Sequence, residues 1–224
     1  MRLRFAVALL ALLCGTWYIA SVAWADGRWQ ATTAGCLVWD ALPQSHETVT
    51  WSGACVDGKA SGQGVELYRY RDDGAWQEER YVGEMQAGKL HGAGILTYDN
   101  GDRFEGVFTG GRRAGQGTYT HVNGDRYEGD FIDDKMTGRG TFSYHAGGRY
   151  EGEFVNGEFQ GHGTFVFANG SRYEGGFRGG LPNGSGTFRA ADGETVSGNW
   201  LNGCFRQGDR VAAVGTSKAQ CGYR

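Results

Sequence analysis

From Tyr81 onward the chain repeats itself every 23 residues without insertion or deletion, with units opening at Tyr81, Phe104, Tyr127, Tyr150 and Tyr173 and a partial one at Val196. A looser copy opens at Trp51, and extra residues through Arg80 separate it from the first regular unit. A strict period constrains the fold more than any single motif, because each unit is one supersecondary element that buries its apolar face only against its neighbours. Within the third unit Tyr127, Gly129 and Phe131 alternate with Glu128 and Asp130, and Phe142 and Tyr144 alternate with Thr141 and Ser143. Alternation at period two puts the rings on one face of two strands and the polar side chains on the other. Each unit therefore reads as a β-hairpin, with glycines such as Gly138 and Gly140 between its strands. The units are joined at Asn100-Gly101, Asn123-Gly124, Asn169-Gly170 and Asp192-Gly193, pairs suited to the positive φ angles of primed hairpin turns.

Composition fits an ordered repeat. The 41 glycines do not recur at every third residue, which excludes collagen, and 7 Trp, 11 Tyr and 12 Phe supply too much apolar surface for a disordered chain. Glycine also recurs mid-strand, at Gly83, Gly106, Gly129, Gly152, Gly175 and Gly198, where it weakens a strand unless a neighbour needs the room. The rings at the fifth position (Phe108, Phe131, Phe154, Phe177, Trp200) and the sixteenth (Tyr119, Phe142, Phe165, Phe188) are expected to lie across that bare backbone.

The YEG…G…GxG…NG skeleton of these units resembles the MORN (membrane occupation and recognition nexus) repeat, from Trp51 to about Phe205. The resemblance implies an all-β fold: an elongated, twisted, antiparallel single-layer sheet with one hairpin per repeat. Departures are Met85 and Cys55 at the aromatic fifth position, Gly176 in place of an acidic residue, and Ala146-Gly147 without the turn Asn. At about 4.8 Å per strand each unit advances about 10 Å. One face then carries about three large apolar side chains per unit, more than a monomer usually leaves in water, so curling, self-association or a partner must cover part of it. The expected binding surface is this aromatic stripe: Phe108, Tyr119, Phe131, Phe142, Tyr144, Phe154, Phe165, Phe167, Phe177 and Phe188. Its expected occupant is a protein partner or a second copy of the chain; a membrane lipid or an envelope glycan is the alternative.

The ends read differently. Residues 1–25 carry Arg2 and Arg4, an apolar run and Ala23-Trp24-Ala25, the pattern of a secretory signal peptide, with an uncleaved membrane anchor as the alternative. Export implies a periplasmic or secreted protein. The four cysteines beyond that segment, Cys36, Cys55, Cys204 and Cys221, are an even number in an oxidising compartment and are expected to form two disulfides. Three connectivities are possible, of which Cys36 with Cys55 and Cys204 with Cys221 close one short loop at each end. Residues 26–50, with LVW and TVTW as strands, read as an N-terminal cap, residues 51–203 as the array and residues 204–224 as a C-terminal cap.

Little here points to chemistry. The formal charge is −3, and cleavage after Ala25 would remove two arginines and no acid to leave −5, so there is no footprint for nucleic acid. His46, His91, His121, His145 and His162 share no repeat position, the GxG elements precede no helix, and neither GxSxG nor HExxH occurs. The reading is therefore non-enzymatic, with no cofactor and no metal. The triplets Arg103-Phe104-Glu105, Arg126-Tyr127-Glu128, Arg149-Tyr150-Glu151 and Arg172-Tyr173-Glu174 set charges opposite the rings, where neighbouring strands can pair them.

Overall fold

The computed structural model describes residues 27–222; the signal-peptide expectation for residues 1–25 lies outside them. Among the described residues no helix is long and apolar enough to cross a membrane. The chain forms eighteen strands: β1 Arg28–Ala31, β2 Leu37–Asp40, β3 Thr48–Trp51, β4 Ala54–Val56, β5 Lys59–Asp72, β6 Ala75–Gln86, β7 Lys89–Thr97, β8 Arg103–Thr109, β9 Arg112–Thr120, β10 Arg126–Ile132, β11 Lys135–Ser143, β12 Gly148–Val155, β13 Glu158–Phe167, β14 Arg172–Arg178, β15 Leu181–Arg189, β16 Thr195–Leu201, β17 Cys204–Gln207 and β18 Arg210–Ala213. From β5 to β18 each strand pairs antiparallel with the next. β3 and β4 add to β5, and the β1–β2 hairpin meets β5 through one parallel pairing, Leu37 with Lys59. LVW and TVTW are strands, as the sequence suggests.

The mid-strand glycines do make room for rings, but the ring is that of the first position. A Cβ on Gly129 would lie 2.5 Å from the Tyr127 hydroxyl, and one on Gly140 would lie 2.6 Å from Cε2 of the same ring. Tyr127 thus lies over both glycines of its hairpin, which face each other in register. Tyr81, Phe104, Tyr150 and Tyr173 repeat the arrangement. Two residues apart on one strand, ring and glycine share a face, and the ring folds along its own strand. The hydroxyl of each tyrosine donates to the carbonyl three residues on, Tyr127 to Asp130 at 3.0 Å and Tyr150 to Glu153 at 3.0 Å.

That carbonyl belongs to a bulge. The register jumps between Gly129 and Asp130, leaving Gly138 and Arg139 without partners on β10, and the same jump recurs in the neighbouring hairpins. Gly138, at φ 59, absorbs the bend, and the Arg139 amide donates to the Asp130 carboxylate at 3.2 Å. His162 and Glu153 repeat this at 3.0 Å. Gly138 and Gly140 therefore lie within a strand, not between strands.

The turns correct the sequence reading in the same way. The primed turns lie inside the units: Gly110-Gly111, Asp133-Asp134, Asn156-Gly157 and Gly179-Gly180 have positive φ at both residues. Between units only the glycine is positive, as at Gly101 and Gly124, and the Asn side chain caps the turn from Asn100 to the Asp102 amide at 2.9 Å. Ala146-Gly147 keeps the backbone bonds of that turn without the Asn.

Candidate interaction surface

The stripe of rings expected from the sequence divides into two rows. Phe108, Phe131, Phe154 and Phe177 are buried together with the first-position rings. They form a continuous edge-to-face column: Phe104 meets Phe108 and Phe131 at 5.1 and 5.0 Å, Tyr127 meets Phe131 and Phe154 at 5.2 and 4.9 Å, and Tyr150 meets Phe154 and Phe177 at 5.2 and 5.0 Å. Such contacts add about 1 kcal/mol each beyond area burial. The extensive contacts between strands are all between sheet neighbours. The column is thus sealed by its own rings and by side chains of the same sheet packed on it, Leu90, Met136 and Phe159 among them, with Phe159 stacked on Tyr150 at 3.8 Å. Burial pushes the hydroxyls of this column up, Tyr81 and Tyr173 to about 12. In this conformation the column is core and offers nothing to a partner.

The second row stays partly wet. Tyr119, Phe142, Phe165, Phe167 and Phe188 are half-buried and Tyr144 is exposed. Phe142, Tyr144, Phe165, Phe167 and Phe188 follow one another at centroid distances of 4.7, 5.9, 4.5 and 6.3 Å. Tyr119 stands apart with Tyr98 and His121. Its hydroxyl donates to Asp102 at 2.7 Å, and the Val122 amide donates to the same carboxylate at 2.8 Å. Burial opposes ionisation of Asp102, yet these hydrogen bonds hold its carboxyl below the usual range. Asp125 repeats the clasp on the His145 amide and Ser171 on the Ala191 amide, so in these three units, though not where Gly148 stands, the residue before the last arginine ties the unit to the following turn.

On the opposite face the arginines and glutamates of the triplets pair, though along one strand and not across two. Arg126 meets Glu128 at 2.5 Å, Arg149 meets Glu151 at 2.7 Å and Arg172 meets Glu174 at 2.7 Å, each arginine reaching a threonine of the preceding strand as well. All are exposed, and such pairs contribute little. Among the described residues no three His, Cys, Asp or Glu side chains are placed to hold a metal ion.

Two features of the ring face escape the sequence reading. Arg113 is a buried cation inside the ring face, within 5.7 Å of the centroids of Phe104, Tyr119 and Phe131. Its position holds Leu90, Met136 and Phe159 in other units. Asp134, in turn, stands where the other primed turns have glycine, and its carboxylate accepts from Arg113 Nε at 3.2 Å while its carbonyl accepts from the guanidinium at 2.8 Å. Two departures from the pattern in adjacent units answer each other. The second feature is Glu66, which occupies the sixteenth position of the Trp51 copy, where every regular unit has an apolar or aromatic residue. Counting the repeat back from Tyr81 hides it; counting forward from Trp51 shows it.

The cysteines pair as Cys36–Cys55 and Cys204–Cys221, one disulfide near each end of the sheet. A family model for the MORN repeat matches residues 81–103, 104–126, 127–149, 150–172 and 173–195, just over half of the chain. Comparison with curated proteins finds no match.

Proposed function

Because the chain belongs to the MORN repeat family, we propose that it is an exported, non-enzymatic scaffold that docks a protein partner or a second copy of itself on its row of half-exposed rings. MORN repeats in general mediate contacts with proteins or membrane lipids. The observation that carries the reading is the row Phe142–Tyr144–Phe165–Phe167–Phe188. These rings pack against the sealed column and continue its apolar face yet keep surface in water, an arrangement that suits a docking site. On the opposite face Arg126, Arg149 and Arg172 pair with Glu128, Glu151 and Glu174 along their strands, which fits the non-enzymatic part. Export fits two disulfides in a chain whose other described residues include no free cysteine.

Light scattering at micromolar concentration and capture from envelope extract test the reading together. The expected result is a dimer or a reproducible protein partner; a monomer that captures nothing contradicts it. An envelope lipid or glycan is the second reading, favoured by the same rings, which suit stacking on sugar. The charge of −5 left after signal cleavage speaks against simple attraction to anionic lipid. Co-sedimentation with liposomes and with peptidoglycan separates it from the first: pelleting with either supports it, and failure to pellet with both removes it.

A further inference from the structure

The N-terminal cap does not close flat against the array. β2 lies across the β6–β7 turn, with the Trp39 amide donating to Gly88 at 2.8 Å, and Cys36–Cys55 fastens its start to β4. Beneath it remains a cavity of about 150 Å³. That volume matches an engineered cavity known to accept benzene, so a guest of about six heavy atoms fits. The cavity is walled by the rings of Trp39, Tyr68, Tyr81 and Tyr98. Val38, Met85, Leu90 and Leu96 add aliphatic wall, three carboxyl-bearing residues, Asp40, Glu66 and Glu79, also line it, and no lysine, arginine or histidine does.

The three carboxyls are not equivalent. Asp40 accepts from the Tyr68 hydroxyl at 2.7 Å and from the Leu42 amide at 2.8 Å, and Tyr68 also meets Glu47, which is paired with Arg28. Glu79 sits opposite Tyr68 in the β5–β6 register. Glu66 sits opposite Tyr81, on the ring face, and no donor among the described residues reaches its carboxyl. No buried side-chain oxygen among the described residues lacks a partner, so the Glu66 oxygens keep accessible surface, and the residue lines the cavity. The residue keeps some accessible surface while burial pushes its carboxyl up to about 8, as expected of a carboxyl facing an internal space and not the outside.

A dry apolar pocket has no use for such a group, and the repeat supplies an apolar residue at this position in every regular unit. Aromatic faces and an unpartnered carboxyl around one small cavity are what a cation needs: ring quadrupoles for its spread charge and a counter-charge to offset desolvation. The surrounding cap already seats cations this way, with Lys59 Nζ 4.4 Å from the Trp29 ring and Lys89 Nζ 5.0 Å from that of Trp39. We propose that this cavity binds a small organic cation, an alkylammonium or quaternary ammonium group, with Glu66, which gives up its proton as the cation enters, as its counter-charge.

Titrating the folded, disulfide-bonded chain with tetramethylammonium, followed by tryptophan fluorescence, tests this; tert-butanol serves as an uncharged guest of similar shape. The expected result is saturable quenching with a Kd near or below about 1 mM, at least tenfold weaker for Glu66→Gln, and no comparable signal from tert-butanol. No saturable response of the wild-type chain overturns the proposal, whether or not the variant folds. Equal binding by a folded Glu66→Gln chain, or tert-butanol binding as tightly as the cation, overturns it as well.

Discussion

Between Tyr81 and Trp200 one local arrangement recurs unit after unit, whereas at the N-terminal end it is used once more and then altered. Trp51 does what Tyr127 does: its ring lies over Gly53 and Gly64, and its indole Nε1 donates to the carbonyl three residues on, Ala54, at 2.9 Å. Around it the array's rings are gone. Cys55 stands at the fifth position and is tied to Cys36, and Glu66 stands at the sixteenth. The ring laid on paired glycines is therefore what shapes a hairpin and its bulge, and it tolerates very different neighbours. The fifth and sixteenth positions are then free to serve other ends: a ring column and a half-wet ladder in the array, a disulfide and a carboxyl-lined cavity in the cap.

The sharpest way to break this comparison is to fill a glycine. Gly129→Val places a Cβ 2.6 Å from the Arg139 carbonyl as well as against the Tyr127 hydroxyl, and neither can retreat, so a loss of more than about 3 kcal/mol is expected. Ser143→Val, on the polar face of the same hairpin, changes stability by within about 0.5 kcal/mol. Equal shifts of the urea midpoint for the two variants would refute the ring-on-glycine account.

Next in size is the buried ion pair, the array's own departure from its rule. Asp134→Gly restores the glycine of the other units but leaves the Arg113 guanidinium without its carboxylate, at a cost of about 3 kcal/mol. Adding Arg113→Met, the residue type found at 136, should recover stability to within about 1 kcal/mol of wild type. A double variant no more stable than Asp134→Gly alone would show that Arg113 packs on the rings for reasons other than its charge.

Tyr127→Phe tests the hydroxyl. It removes the bond to the bulge carbonyl of Asp130 and is expected to cost about 1 kcal/mol, with Phe104 as the native precedent for a unit lacking it. A different kind of effect, a change of slope with pH, is expected in the cap. Glu66 stays protonated in the folded chain up to about pH 8 but ionises in the unfolded chain near its ordinary value, so its contribution is whole in acid and declines as pH rises toward 8. Glu66→Gln should flatten the fall of stability between pH 5 and 8; parallel profiles for the two chains would place the carboxyl in ordinary solvent.

Much of this fold is legible in the sequence because a 23-residue period with alternating rings leaves few alternatives to stacked hairpins, and the short cysteine spacings match the pairs that form. What stays hidden has a common physical origin. Ring direction along a strand decides that Tyr127, not Phe131 or Phe142, covers the glycines, and alternation alone carries no direction. The primed turns hide because Asp133-Asp134 lacks the glycine that advertises one, while Asn100-Gly101 advertises one and forms a turn of another kind. The candidate stripe divides into core and surface only once the bulges bend the sheet, so Phe154 and Phe165 look alike in the sequence and differ in the fold. Arg113 and Glu66 break the apolar pattern, but each becomes meaningful only beside what the fold brings to it, Asp134 in one case and the cap in the other.

The central claim is that the array meets its partner with the half-exposed ring row and not with its charged face. A photocrosslinking side chain carried at position 144 in place of Tyr144, compared with one at position 132 in place of the exposed Ile132 on the opposite face, tests it in the native compartment. The account predicts a discrete crosslink, to a protein or to a second copy, from position 144 and none from 132. Silence at 144, or the same products from both positions, would contradict it.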